Sequence, residues 1–226
     1  MRAVLALALL VPVSLLGVAA NMFWRPEWPV GRMIFLASKI WVAALPLIWL
    51  LWVDRTPLRW SPARHGGFGI AITLGIIMAA LVLTAYAVAS RFNALAGNLV
   101  ADHAARIGTN QPALYFAGAV YWILLNSLTE EYIWRWFVFR KFETLLGSRL
   151  AVTAAAFAFT AKHVFVLAGL FTWPIVLLGA LGVFVAGATW SWFYQRYRSI
   201  WPGYVNHAIV DVAIFAIGYW LIFGHG

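Results

Sequence analysis

FGIAITLGIIMAALVLTAYAVAS, residues 68–90, contains no Asp, Glu, Lys or Arg. A helix of that length at ~1.5 Å per residue crosses the ~30 Å hydrocarbon core of a bilayer. The run has no alternation of period two, which argues against a strand of a membrane β-barrel. Working outward, runs of the same kind occupy residues 3–20, 33–53, 112–139, 150–168, 173–194 and 204–223. These predict an all-α fold, a polytopic transmembrane helical bundle of about seven spans, with six to eight compatible with the run boundaries. Hydrophobic residues make up 64% of the chain and charged residues 10%, far from the balance of a water-soluble domain. Pro46, Gly75, Gly179 and Gly182 fall inside spans, where neighbouring helices can satisfy freed backbone groups. No repeat or second composition regime interrupts residues 1–226, which reads as a single integral membrane domain.

The formal net charge is +9, and in so apolar a chain the excess belongs to loops beside an anionic leaflet rather than to a nucleic-acid patch. With seven spans and a cytoplasmic N-terminus, Arg2, Arg55, Arg59, Arg64, Arg140, Lys141, Arg149, Arg196 and Arg198 lie inside, and only Arg25, Arg32, Arg91 and Arg106 outside. That bias predicts a multi-pass protein of the cell inner membrane with its N-terminus in the cytoplasm. Met1-Arg2, an apolar run and Val18-Ala19-Ala20 also fit a cleavable signal over residues 1–20. The segment 91–111, with Leu95, Leu99 and Ala105 among Asp102, His103 and Arg106, is compatible with a short interfacial helix. Trp24, Trp28, Trp60, Trp173 and Trp201 sit at span ends, as interfacial anchors do. His65, His103 and His225 fall in loops or at the terminus and read as solvated. Absence of cysteine removes disulfides, thiolate zinc sites and cysteine nucleophiles.

Ionisable groups inside spans are costly unless paired or wetted, so each needs a reason. The second span holds Lys39. The fourth holds Glu130, Glu131 and Arg135, the fifth Lys162 and His163, and the last His207 and Asp211. Glu131 and Arg135 are spaced i,i+4 with the acid first, the favourable order for an intrahelical ion pair, and this leaves Glu130 about 100° round the helix. That ion pair alone reads mainly as scaffold. His207 and Asp211 are also i,i+4, so the carboxylate can hold the imidazole in one tautomer. Phe159 and His163 share a face. Helical rise puts Glu130 roughly 15 Å, His163 roughly 20 Å, His207 roughly 5 Å and Asp211 roughly 10 Å from the cytoplasmic ends of their spans, close enough to converge with tilt. Lys39 is free to snorkel or pair with a carboxylate, and Lys162 to project toward a headgroup or away from the site.

Glu130-Glu131-x-x-x-Arg135, Phe159-x-x-x-His163 and His207-x-x-x-Asp211, in this order and on separate spans, resemble the CAAX protease and bacteriocin-processing family of glutamate-type intramembrane proteases, the group that includes the Ras-converting enzyme. The resemblance covers roughly residues 110–223, and Asp211 stands where prenyl-protein processors carry Asn. It implies an intramembrane endopeptidase acting on a membrane-associated protein or peptide substrate, without a covalent intermediate and without a cofactor. Glu130 would be the general base, on a water also held by His163. His207, oriented by Asp211, would stabilise the oxyanion, and Glu131 and Arg135 would support the helix.

Other chemistry fits the same residues. Glu130, His163, His207 and Asp211 are acceptable zinc ligands that would activate a bound water. A non-catalytic immunity or scaffold protein could keep the polar cluster as an interhelical brace. A proton-coupled transporter could use buried Glu, His and Asp, although no paired broken helices recur in the two halves.

Overall fold

A chain that must satisfy every backbone N–H and C=O without water winds into helix, and the apolar runs do so. The computed structural model describes residues 1–24, 29–57, 61, 65–92 and 97–224. Arg25, Trp28, Arg59, Trp60, Arg64, Leu95 and His225 lie outside those residues. The first helix is α1 (Arg2–Phe23). The second, α2 (Val30–Ile48), runs on as a π-helical stretch, Trp49–Asp54. Next come α3 (Phe68–Arg91) and the short α4 (Gly97–Ile107), the helix anticipated between the third and fourth spans. The fourth span, Pro112–Leu146, is composite. It runs through α5 (Pro112–Val120), π-helical Tyr121–Asn126, α6 (Ser127–Glu131), π-helical Tyr132–Phe139 and α7 (Arg140–Leu146). Then follow α8 (Ser148–Leu170), α9 (Trp173–Tyr197) and α10 (Trp201–Phe223). Seven helices are long and apolar enough to cross a membrane, and the described residues contain no strand. The protein is an all-α, multi-pass integral membrane bundle.

The principal neighbours are α1 with α2, α8 with α9, and α3 with α10, while α4 lies against α10 and α8. The second half of the fourth span sits at the centre. Ile133, Trp134, Phe137 and Val138 share one core with Leu10, Leu45, Phe159 and Phe193 from four other helices. A helix surrounded in this way must be apolar all round, which residues 133–139 are apart from Arg135. By contrast α3 buries only Ala71 and Gly75, so its apolar surface faces outward.

Residues 140–146 extend the fourth helix beyond the apolar run that ends at Phe139. The extension is held because Lys141 reaches Asp54 at 2.6 Å and Arg198 reaches Glu143 at 2.7 Å. Gly147, at φ +77°, then lets the chain turn out of the helix. These ion pairs, with Arg2 donating to the Val53 carbonyl at 3.4 Å, bring the start of α1 and the ends of the second, fourth and sixth spans to one face. The alternating path deduced from the seven runs requires that grouping.

α1 and α2 pack closely at a small-residue contact. A Cβ on Gly17 would lie 1.7 Å from Ser38 Oγ and 2.5 Å from Ser38 Cβ. Small residues at such crossings let backbones pack where lipid supplies no hydrophobic drive. Gly17→Ala should therefore destabilise the bundle by about 1–3 kcal/mol through overpacking. The effect is read as a lowered Tm in detergent and should be largely reversed by adding Ser38→Gly.

Candidate active site

Two consecutive acids occupy the single α-turn of α6 between two π-wound stretches, and they face different helices. Glu130 Oε1 accepts an ion-paired hydrogen bond from Lys162 Nζ on α8. Glu131 Oε1 accepts from His207 Nδ1 on α10 at 3.1 Å and lies 3.5 Å from Arg135 Nη1. Glu130, Glu131, Arg135, Lys162 and His207 are all buried, with Glu131 fully enclosed. The Arg135 guanidinium rests against the faces of Phe159 and Trp190, at 4.5 and 5.0 Å from the ring centroids. Glu131 Oε2 and Arg135 Nε and Nη1 make no hydrogen bond among the described residues, so charge and aromatic faces hold this pair.

His207 is fixed by a stacked ring and by a carboxylate at Nδ1. Its ring stacks on Trp190, with centroids 3.7 Å apart and planes 14° apart. Trp190 Nε1 donates to Asn206 Oδ1 at 2.7 Å, and Asn206 Nδ2 donates to the Ala71 carbonyl at 2.8 Å, which ties α9, α10 and α3 together. With Nδ1 engaged by Glu131, Nε2 points between Glu130 Oε2 at 3.9 Å and Asp211 Oδ2 at 3.8 Å. Both separations exceed a direct hydrogen bond and are spans that one intervening oxygen can bridge. Asp211 itself accepts from Ser127 Oγ at 2.6 Å.

His163, on the same turn of α8 as Lys162, hydrogen-bonds through Nδ1 to the Phe159 carbonyl at 2.9 Å. A carbonyl only accepts, so Nδ1 carries the proton and the neutral ring offers Nε2 as an acceptor. The Phe159 ring is the shared wall, 4.4 Å from the His163 ring, 6.4 Å from His207 and edge-on to Trp134 and Trp190.

The fourth, fifth and seventh spans thus bring Glu130, Glu131, Arg135, Phe159, His163, His207 and Asp211 together. Two sequence expectations are corrected. The carboxylate on His207 Nδ1 is Glu131, not Asp211, because Asp211 lies on the Nε2 side and is taken up by Ser127. Lys162 points into the cluster rather than toward a headgroup, since Glu130 is the carboxylate its helix faces. Lys39, whose partner was open, donates to Asn126 Oδ1 at 3.0 Å beside the rings of Phe35 and Trp122. Ser127, Trp190 and Asn206 escaped notice because Ser, Trp and Asn are unremarkable in membrane helices and nothing local marks their partners.

Close backbone approach completes the assembly. A Cβ on Gly203 would lie 2.5 Å from Glu131 Oε2, and one on Gly187 3.3 Å from Phe159 Cδ1. Beside Glu130 and Lys162 a cavity of ≈ 450 Å³, counting its open mouth, reaches between α1, α2 and the fourth span past Ser14, Ser38, Lys39 and Asn126. Among the described residues no three His, Asp or Glu side chains gather as a group able to hold a metal ion. The carboxylate of Glu130, one of the four candidate zinc ligands, is engaged by the Lys162 ammonium.

Residues 112–213 match the family model described as Rce1-like, "Type II CAAX prenyl endopeptidase Rce1-like". The matched stretch contains all seven side chains gathered above and leaves out Lys39 and the first three spans. No curated protein and no solved structure matches the chain.

The Glu130–Lys162 pair should behave as a unit. Lys162→Met leaves a buried carboxylate without its ammonium and should cost about 3–5 kcal/mol. The double variant Glu130→Gln/Lys162→Met should recover most of that loss, checked as a double-mutant cycle of Tm in detergent.

Proposed function

We propose, from the premise that residues 112–213 belong to the Rce1-like family, that this protein is an intramembrane endopeptidase of glutamate type, cleaving a membrane-associated protein or peptide with water activated by Glu130. One observation carries the reading. His207, clamped at Nδ1 by Glu131, aims Nε2 into the space flanked by Glu130 Oε2 and Asp211 Oδ2 at nearly equal distances. A carboxylate base and a nitrogen donor then face one reacting centre, which peptide hydrolysis requires.

The steps follow from the contacts. Lys162 occupies Oε1 of Glu130, so Oε2 is the oxygen that removes a proton from water. His163 Nε2 accepts the water's other hydrogen and so directs its lone pair. The hydroxide attacks the scissile carbonyl carbon, and the C=O electron pair moves to oxygen. His207, in its imidazolium form, donates Nε2–H to that oxyanion while Nδ1–H stays on Glu131. In this low-dielectric setting the contact is worth far more than in water. The tetrahedral intermediate collapses as Glu130 passes its proton to the leaving amine. Arg135 balances Glu131, and Asp211, held by Ser127, bounds the Nε2 side. No metal takes part in this scheme.

The cavity between α1, α2 and the fourth span marks the side from which substrate would approach Glu130. The catalytic core of residues 110–223 is in this way completed by the second span, whose Lys39 stands at the passage. The charge asymmetry of the loops supports a cytoplasmic N-terminal end, and the chain is read as a protein of a cell inner membrane.

Glu130→Gln should lower cleavage by about 10²–10⁴-fold, the usual worth of a positioned general base, measured at a temperature where the variant, whose Tm falls because the buried Lys162 ammonium loses its carboxylate, is still folded. The assay uses a farnesylated CAAX peptide in detergent, with peptidomics of membranes expressing either form to find natural substrates. Wild-type turnover by Glu130→Gln would overturn the base assignment, and loss of activity with a chelator would replace it with metal chemistry. A second comparison separates the two candidate orienters. Glu131→Gln should cost more activity than Asp211→Asn, because only Glu131 touches His207 Nδ1. The reverse order would return the orienting role to Asp211.

A further inference from the structure

We propose that a second cavity, remote from the catalytic cluster, binds the phosphodiester headgroup of an anionic phospholipid. It lies where the start of α1, the end of the second span and the end of the fourth span meet, and measures ≈ 670 Å³ counting its open side. Arg2, Asp54, Trp136, Arg140, Lys141 and Thr144 line it. Three cations therefore face one carboxylate.

The contacts already present leave charge to spare. Asp54 is taken by Lys141 at 2.6 Å, and the Lys141 ammonium is further held over Phe137 at 5.1 Å and Trp49 at 5.7 Å. Among the described residues no salt bridge engages Arg2 or Arg140. The polar contact of Arg2 is a long one, 3.4 Å to the Val53 carbonyl. Arg2 and Ala3 also open α1, so its first unpaired N–H groups add to the positive potential at this end. Two exposed guanidiniums beside a pinned ammonium match the oxygens of a phosphodiester, which guanidinium forks bind in bidentate fashion.

Its surroundings select a lipid over a free anion. Arg2 and Arg140 stand at the ends of their spans, the depth at which headgroups lie. One turn along α1 from Arg2, Leu5 (53% exposed) presents an apolar side chain outward, as does Trp52 (77%), the neighbour of the Val53 whose carbonyl Arg2 meets. Acyl chains attached to a bound phosphate would cover that surface, and Trp52 has the placement of an interfacial anchor. An inorganic phosphate or an acidic peptide gains nothing from it.

The test uses the purified full-length chain in detergent, with native mass spectrometry and thermal unfolding. The added probes are dioleoylphosphatidylglycerol, dioleoylphosphatidylcholine, inorganic phosphate and polyglutamate. Phosphatidylglycerol should be retained in preference to phosphatidylcholine and should raise Tm. Arg2→Gln/Arg140→Gln should weaken that retention at least about tenfold, as expected for two lost charge-assisted contacts. Arg149→Gln/Arg196→Gln, the same charge change at exposed positions of the same end but outside the cavity, should leave it unaltered. Each single variant at Arg2 or Arg140 should show part of the loss, which keeps the comparison available if the double variant does not purify. Equal retention of the two lipids, equal loss in the two double variants, or wild-type retention by Arg2→Gln/Arg140→Gln would overturn the proposal. So would an equal Tm rise with inorganic phosphate alone, or displacement of the lipid by polyglutamate.

Discussion

Two buried carboxylates and a half-buried third inside a membrane bundle must each be met by a cation or a donor, and the rest of this structure is arranged around that requirement. Glu130 meets Lys162, Glu131 meets Arg135 and His207, and Asp211 meets Ser127. Removing a charge of this kind from water without compensation costs several kcal/mol, so each partner is necessary to folding. The aromatic residues belong to the same arrangement. Phe159 and Trp190 cover Arg135, Trp134 and Phe159 cover Lys162, and Trp190 backs His207. Quadrupolar ring faces solvate cations where water is scarce, and they do so without adding charge.

The geometry of the fourth span makes this pairing possible. Glu130 and Glu131 are adjacent in sequence and must serve different helices, α8 and α10. They sit on one ordinary turn between two wider-wound stretches, Tyr121–Asn126 and Tyr132–Phe139. π-helical widening is frequent at functional sites because it re-aims side chains that a regular helix would place elsewhere. Here it lets residues 133–139 bury almost completely while Arg135 still returns to Glu131. Glycines do the complementary work on the opposing helices. Gly203 admits Glu131 at a distance that a side chain would forbid, and Gly187 admits Phe159 where a Cβ would fit only tightly.

The family match ends before the first three spans, yet those spans are not mere packing. Ser14, Ser38 and Lys39 border the passage to Glu130, and Ala71 on α3 accepts the hydrogen bond that orients Asn206 and, through it, Trp190. The amino-terminal helices thus touch the site twice, at its opening and behind the His207 ring. At the basic end of the bundle, α1 and the end of the second span join the fourth span around a charged cavity apart from the polar cluster.

The sequence by itself determined the bundle, the seven spans and the ionisable side chains inside them that form the candidate site. Apolar runs of bilayer length have few other solutions, and an ionisable residue inside one stands out by its cost. Periodicity also placed Glu131 with Arg135 and Phe159 with His163, since both pairs are local to one helix. Only the tertiary structure decided which carboxylate clamps His207, where Lys162 points, and that Ser127, Trp190 and Asn206 belong to the site. Those contacts join residues on different helices, and their partners are set by how helices rotate and how closely they pack. Spacing along one chain segment carries no information about that rotation, so i,i+4 arithmetic put Asp211 where Glu131 stands.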